Sequence, residues 1–446
     1  VAPALPAAVA KPSDAAQVAA VLKVCHDARI AVTPVAGTSG VCGGSIPLFG
    51  GVSLDLTALE GVTEVDDSSL SVEVRAGTFG DVFEDTLRSE FELTLGHWPQ
   101  SIALSTVGGW VACRGAGQYS TRYGKIEDMV IGLEVALADG RLIHTGAKTP
   151  RAATGPDLTQ LFVGSEGTLG VITSVRFRAH PVPPAQREAV YAFDDFEAGL
   201  DACRRILRRG ATPAVLRLYD QAESKRNFST DSVAVLIVVD EGDPALIDAV
   251  MGVVAEECSD SVDLPNELAL KWLAHRNQIP DVESLVRAGI VVDTVEIAAS
   301  WRALPGIYRQ AIDRLTALDS TIAASAHQSH AYSDGACLYF TFAGRPETGR
   351  PETGRPETGR DWKAAEAYYR QAFDAVTEAT IEAGGALSHH HGVGMNRGRY
   401  MRGYLGDSFD VLSSVKAALD PHGILNPGKL GLVSAIGNPW EGGGDQ

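Results

Sequence analysis

Three consecutive imidazoles, His389, His390 and His391, stand well inside the chain and are followed at once by Gly392 and Gly394. Imidazole both gives and takes a proton near neutral pH, so such a run can act as an acid–base cluster or orient an anion. It can also bind a metal, or be an ordinary solvated loop. Adjacent residues on an extended segment point to opposite sides, which makes it hard for all three to reach one ion. No metal is therefore expected. The two glycines would let the backbone lie close to a cofactor or substrate. Four more residues could join this chemistry: Tyr339 in "ACLYFTF", Arg217 in "AVLRLYD", and His327 and His330 in "AHQSHAYSDG". Each has a plainer reading. Aromatics are common in strands, a lone strand arginine is usually paired or snorkelling, and the two histidines could simply face water.

A second kind of chemistry is written in glycine. The loop "PVAGTSGVCGG" (34–44) has the glycines needed for a backbone nest that turns N–H groups toward an anion. It is neither the dinucleotide G-x-G-x-x-G, which needs a following helix, nor a Walker loop, which needs G-K-[ST]. Two further glycine clusters occur at 96–124 and in "GSEGTLGVIT" (164–173). Three such loops, each beside a strand, suit a large ligand with a pyrophosphate in its middle.

These residues need elements to hold them. Ser13 and Asp14 start a helix carrying Val18, Val21, Leu22 and Cys25 at helical spacing. Strands are expected at 30–35, 51–56, 71–77, 131–137 and 171–179. In the last, Val171, Thr173, Val175 and Phe177 face one way, and Ile172, Ser174, Arg176 and Arg178 the other. After "PVPP" (181–184) the pattern changes. Strands at 189–193, 214–219, 233–239 and 336–343 alternate with helices at 196–209, 244–258, 301–318 and 361–383, an α+β pattern. "RPETG" occurs three times in tandem at 345–359 and should form a mobile surface loop.

Bulk properties narrow the partners. Net charge is −18, which argues against nucleic acid and anionic membrane. No apolar run approaches the roughly 20 residues that span a bilayer. The opening "VAPALPAAVAKPSD" lacks a signal-peptide pattern. Six scattered cysteines without C-x-x-C suit a reducing cytoplasm. A homodimer is the base-rate expectation, and peripheral membrane contact stays open.

Together, "PVAGTSGVCGG", "STVGGWVACRGAGQYSTRYGKIEDMVIGLEVALADG", "GSEGTLGVIT", "TGPDL", "DGACLYF" and "SHHHGVG" resemble the FAD-binding flavoproteins of the vanillyl-alcohol-oxidase, or PCMH, type. Within that superfamily the similarity is strongest to the alkylglycerone-phosphate synthases, and it runs over nearly the whole chain. The resemblance implies an α+β architecture: a PCMH-type two-subdomain FAD-binding domain (1–182), an antiparallel-sheet cap domain (183–386), and a C-terminal segment (387–446) that carries the histidines and closes over the flavin.

It further implies non-covalent FAD, since the first glycine loop holds no histidine to serve as a covalent link. Pro34, Val35, Ala36, Gly37, Thr38, Ser39 and Gly40 would hold the pyrophosphate. Gln100, Ser101, Ser105, Thr106, Gly109, Cys113, Arg114, Gly115 and Ala116 would hold further parts of the cofactor. So would Glu166, Gly167, Thr168, Leu169, Gly170, Val171 and Ile172. Tyr339 would be the acid–base tyrosine, His389, His390 and His391 the cluster around substrate, and Arg217 a further functional arginine.

The implied reaction is flavin-adduct exchange of an acyl for an alkyl group on a dihydroxyacetone-phosphate-like substrate, in ether-lipid synthesis. Two departures bear on that. Val282 stands where the family has a phosphate-binding arginine, with Arg287 five residues away, and Gln100 stands where it has aspartate. Losing the arginine removes a charge-assisted phosphate contact and favours the alternative, an FAD-linked dehydrogenase or oxidase of a 2-hydroxy acid or alcohol. A flavin-binding scaffold without turnover is the third reading.

Overall fold

The computed structural model describes residues 4–146, 151–278, 282–346 and 362–437. Most of the RPETG tract, 347–359, lies outside the described residues. The chain divides into two compact units. One comprises the chain up to Gly117, Tyr123–Val182 and the segment from His390 onward; the other is Gln118–Arg122 with Pro183–His389.

The first unit is built on two larger sheets, with a small antiparallel pair of Leu93–Thr94 and His180–Pro181 besides. A parallel three-stranded sheet has the order Ala8–Ala10, Val52–Asp55, Val32–Val35. An antiparallel five-stranded sheet has the order Val62–Asp66, Ser71–Arg75, Val171–Arg178, Val130–Ala136, Leu142–Thr145. Asp14 caps the first helix, Ala15–Ala28, by accepting from the Gln17 N–H, and that helix buries Val18, Leu22 and Cys25 with Val32 and Leu54. A second core gathers Val72, Phe83, Trp110, Val175 and Phe177.

The C-terminal helix Ser408–Leu419 is fastened to this unit by a buried cation. Lys416 Nζ donates to the carbonyls of Thr168 and Leu425, both at 2.8 Å, and pairs with Asp420. Asp420 in turn accepts from the N–H groups of Ile424 and Leu425.

The second unit carries an antiparallel seven-stranded sheet. Its order is Val262–Leu264, Ala185–Phe193, Ala234–Gly242, Val215–Tyr219, Thr321–Ala331, Gly335–Gly344, Val291–Ser300. The strand "AVLIVVDEG" is apolar along most of its length and lies buried near the middle. Helices Phe196–Arg208, Gln221–Phe228 and Pro244–Glu257 begin at Asp195, Asp220 and Asp243, each accepting a backbone N–H of the first turn.

The expected α+β class with an antiparallel cap sheet is thus present, and most expected elements fall within a few residues of their places. Three differ. The glycine-studded stretch 96–124 contains the helix Val107–Cys113, started by Thr106. Gly108 and Gly109 lower helix propensity, but Gly108 sits where a Cβ would meet the Ala76 side chain at 2.6 Å, so packing requires it. "TIAASAHQSHA" is a strand, Thr321–Ala331, despite its alanine and serine content. Finally, the polar face of Val171–Arg178 is buried: Arg176 is 6% exposed, paired with Glu64 at 2.7 Å and with Glu73.

Replacing Lys416 with Met would leave Asp420 buried without its cation. The expected loss is about 3–5 kcal/mol, read as a lowered urea midpoint. An unchanged midpoint would show that the pair does not hold the helix.

Candidate active site

In the first unit the expected cofactor residues converge from four segments. Pro34 and Val35 end a strand, and residues 36–40 leave it as a loop with Thr38 at φ +53°. Gly37 abuts the next segment so closely that a Cβ would lie 2.1 Å from the Leu104 carbonyl oxygen. In that segment Gln100 and Ser101 open a turn, and Ser105 Oγ donates to the Ser101 carbonyl and accepts from Trp110 Nε1 at 2.7 Å. Thr106 Oγ1 caps the helix through the Gly109 N–H.

Cys113 ends that helix, Arg114 turns the chain at φ +57° and pairs with Glu127, and Gly115 and Ala116 follow. Gly167, at φ +73°, places its Cα where a Cβ would meet Pro34 at 2.9 Å. Thr168 Oγ1 donates to Ser165. The side chains of Leu169, Val171 and Ile172 belong to the hydrophobic cores, and Gly170 packs on Val135, so these four positions offer a ligand no side-chain polar group.

The first loop fits the cofactor expected there. Among the described residues, no protein hydrogen bond engages the backbone N–H groups of Gly37, Thr38, Ser39, Gly40 or Val41. Nothing lies within 4 Å of a Cβ at Gly40. A glycine turn with a run of uncommitted donors is the backbone cradle a pyrophosphate requires.

Glu166 has a different occupation. Its carboxylate is buried and accepts the N–H of Val393 at 2.6 Å and of Gly394 at 2.7 Å. Its own N–H donates to Ala112, and its carbonyl accepts from Asn426 Nδ2, which also reaches the Gly44 carbonyl. Burial pushes the Glu166 carboxyl up to about 7, against the opposing pull of those N–H groups and of Arg397 and Lys429.

The histidine run is a series of bends, not an extended strand. His390 and His391, in the first unit, pack edge to face with ring centroids 4.4 Å apart. His389 belongs to the second unit, where its Nε2 lies 3.0 Å from Tyr332 Oη, itself 3.0 Å from Ser120 Oγ. Its backbone N–H donates to Glu296, a fully buried carboxylate that also accepts from Ser388. The His330 ring lies 4.8 Å from that of His389.

Sheet register assembles the rest of the second unit's cluster. Tyr219 is opposite His327, His327 opposite Tyr339, and Tyr339 opposite Glu296, so four strands contribute one ladder to one face. His327 and Tyr339 are stacked, with centroids 4.9 Å apart and planes at 19°. Arg217, two residues from Tyr219, donates through Nε to Tyr219 Oη at 2.7 Å and through Nη2 to His327 Nε2 at 2.6 Å. His327 Nδ1 meets Glu223 Oε2 at 2.8 Å.

Burial and the Arg217 charge hold His327 below the ordinary imidazole range. Burial pushes the Tyr339 phenol up to about 12, although Thr294 donates to its oxygen at 3.0 Å. Burial would also raise Glu223, but His327, Arg226 and Arg217 outweigh it and hold that carboxyl down at about 2. His327 and His330 both lie within the strand Thr321–Ala331 and are buried rather than facing water. Four further residues of the cluster have no local signature in the sequence: Glu296 and Thr294 on the strand Val291–Ser300, Glu223 on the helix Gln221–Phe228, and Tyr332 just past the strand Thr321–Ala331. Arg287 is exposed on the helix Val282–Arg287 and pairs with Glu283.

Two family models match this chain: an FAD binding domain over residues 6–146, and the C-terminal domain of FAD linked oxidases over 182–430. The chain belongs to the FAD-linked oxidase family. It is 31% identical to the uncharacterized FAD-linked oxidoreductase YgcU of Escherichia coli K12, covering 96% of this chain and 89% of that one. It is 28% identical to the glycolate oxidase subunit GlcD of Bacillus subtilis, with the same two coverages. It is 27% identical to the alkyldihydroxyacetonephosphate synthase of Dictyostelium discoideum, covering 95% of this chain and 73% of that one. A solved alkyldihydroxyacetonephosphate synthase shares the fold, with a TM-score of 0.73 at 24% identity over 94% of this chain and 75% of the other. The protein is therefore an FAD-dependent flavoenzyme of PCMH-type fold. Among the described residues no helix is long and apolar enough to cross a membrane.

Glu166 gives this flavoenzyme a pH signature. Its folded carboxyl keeps a proton that the unfolded chain releases near 4.5, so the associated stability is full below that pH and is lost as pH rises through about 7. Glu166→Gln should flatten this slope. It should also lower stability by about 1–3 kcal/mol, because an amide cannot accept both N–H groups through two oxygens. Urea unfolding across that window checks it; parallel curves for the two proteins would assign the slope elsewhere.

Proposed function

We propose that this flavoenzyme oxidises the hydroxyl-bearing carbon of an anionic substrate, a 2-hydroxy acid or a related alcohol. The observation that carries the reading is Arg217 and Tyr339 held against the same imidazole, a fixed cation beside a phenol that keeps its proton at neutral pH. The bound flavin supplies the hydride acceptor. Arg217 receives the carboxylate in charge-assisted hydrogen bonds, and Tyr339 donates a hydrogen bond to a substrate oxygen. His389, His390 and His391 supply imidazole to accept the hydroxyl proton. The loop 34–40 holds the pyrophosphate of FAD, without a covalent link. The name of the Bacillus relative, a glycolate oxidase subunit, supports the hydroxy-acid class.

A second reading is exchange of an acyl for an alkyl group on a dihydroxyacetone-phosphate ester. The match to the Dictyostelium synthase supports it, and "SHHHGVG" with Tyr339 is the pattern that carries the resemblance. Val282 in place of a phosphate-binding arginine weighs against it.

An anaerobic absorbance titration of the FAD-loaded protein separates the two. Bleaching by a D- or L-2-hydroxy acid is expected. Bleaching only by acyl-dihydroxyacetone phosphate, with recovery on adding fatty alcohol and no oxidant, would overturn the first reading in favour of the second. Tyr339→Phe should lower kcat by about 10²–10⁴-fold and leave the flavin spectrum intact. An unchanged kcat would remove Tyr339 from the chemistry.

A further inference from the structure

Glu223 is a helical residue that no sequence motif marks, yet it is 2% exposed and collects donors from every side. Ser325 Oγ reaches it at 3.2 Å, Thr341 Oγ1 at 3.1 Å, Arg226 at 3.0 Å and His327 Nδ1 at 2.8 Å. The last contact fixes the chemistry of the imidazole. A guanidinium cannot accept a hydrogen bond, so His327 Nε2, 2.6 Å from Arg217 Nη2, must be the acceptor and carry no proton. The one ring proton then sits on Nδ1, donated to Glu223 Oε2. The imidazole is a neutral spacer between a buried anion and a cation.

The spacer matters for what Arg217 can still do. A carboxylate bonded directly to the guanidinium would commonly engage it by a two-point fork and occupy a whole edge. Here Nε is held by Tyr219 and Nη2 by the imidazole, while Nη1 has no hydrogen-bond partner among the described residues. The guanidinium is immobilised, its charge is balanced one ring away, and a donor edge remains for an oxyanion. Preorganisation of this kind lowers the ordering cost of binding.

We propose that Glu223 and His327 are a positioning pair that locks the Nδ1–H tautomer and holds Arg217 as a receptor for a carboxylate or phosphate oxyanion of the substrate. This rests on the reading of Arg217 as the anion-binding residue. The same ring backs the Tyr339 phenol, so the pair sets the placement of the proton donor as well as the cation.

The test uses the FAD-loaded full chain labelled with ¹⁵N-histidine, with His327 assigned from the signal missing in His327→Gln. The wild type should show a neutral Nδ1–H ring at neutral pH; an Nε2–H or doubly protonated ring would overturn the proposal even if no variant folds. Oxalate and inorganic phosphate then serve as anion probes in calorimetric titration, and whichever binds names the oxyanion. Arg217→Ala should abolish binding; if it does not, the reading of Arg217 fails, and the proposal with it. Glu223→Gln should mix the tautomers and weaken the probe at least tenfold, with Glu223→Asp recovering part of both. If Arg217→Ala loses the probe but Glu223→Gln keeps both its affinity and the wild-type ring signal, Arg217 stands and the positioning pair is wrong.

Discussion

The first unit depends on one buried carboxylate. Glu166 joins loop 164–172 to the chain that follows the histidines, because its two oxygens satisfy the consecutive N–H groups of Val393 and Gly394. The geometry leaves little freedom. Glu166, Gly392, Gly394 and Asn426 all sit at positive φ, and a Cβ on Gly392 would come within 2.5 Å of the carboxylate. Left-handed backbone costs a non-glycine residue about 1 kcal/mol or more, a cost that the hydrogen bonds offset at Glu166 and Asn426, while Gly392 and Gly394 adopt it freely. Moving the Glu166 side chain would release the Val393–Gly394 pair that follows the histidines, while Asn426 ties the Glu166 main-chain carbonyl to that of Gly44 in the first glycine loop.

The second unit solves a different problem, that of bringing polar groups together inside a sheet. Cross-strand neighbours share a face, so register alone collects Tyr219, His327, Tyr339 and Glu296 from strands distant in sequence. A one-residue slip of Thr321–Ala331 would turn His327 to the opposite face and break its contacts with Glu223, Arg217 and Tyr339 together. Burying such groups without partners would be costly. The cluster is tolerable because its polar groups have partners: Glu296 accepts from Ser388 and His389, Arg217 donates to Tyr219 and His327, and the helix Gln221–Phe228 delivers the carboxylate that meets His327 Nδ1.

Much of this was legible from residues alone. Hydrophobic periodicity located most strands and several helices, and Ser13 with Asp14 marked the start of the first helix, because both signals are local. The glycine loops announced a cofactor because glycine spacing is a backbone requirement that survives without side-chain information. The strand Thr321–Ala331 was hidden because alanine, serine and glutamine are poor strand formers whose pairing is imposed by neighbours. The helix Val107–Cys113 is too short to show a period. Arg217 and Tyr339 could be singled out only through resemblance. Glu223 could not be found at all, since an acidic residue three positions after a capping aspartate is ordinary on any helix.

These local arrangements must also overcome the charge of the molecule as a whole. At −18 the protein as a whole repels anions, so long-range steering would not favour an acidic substrate. Screening limits that repulsion to about 8 Å at physiological ionic strength, and beyond it the charge is largely invisible. Recognition would then fall to contacts at hydrogen-bond range, where a half-buried guanidinium with two fixed nitrogens is worth far more than a solvated lysine. An acidic flavoenzyme taking an acidic substrate is therefore no contradiction. Such a pairing requires a cation held still, and the guanidinium this fold holds so is Arg217, bonded to Tyr219 and His327 with Glu223 one ring behind.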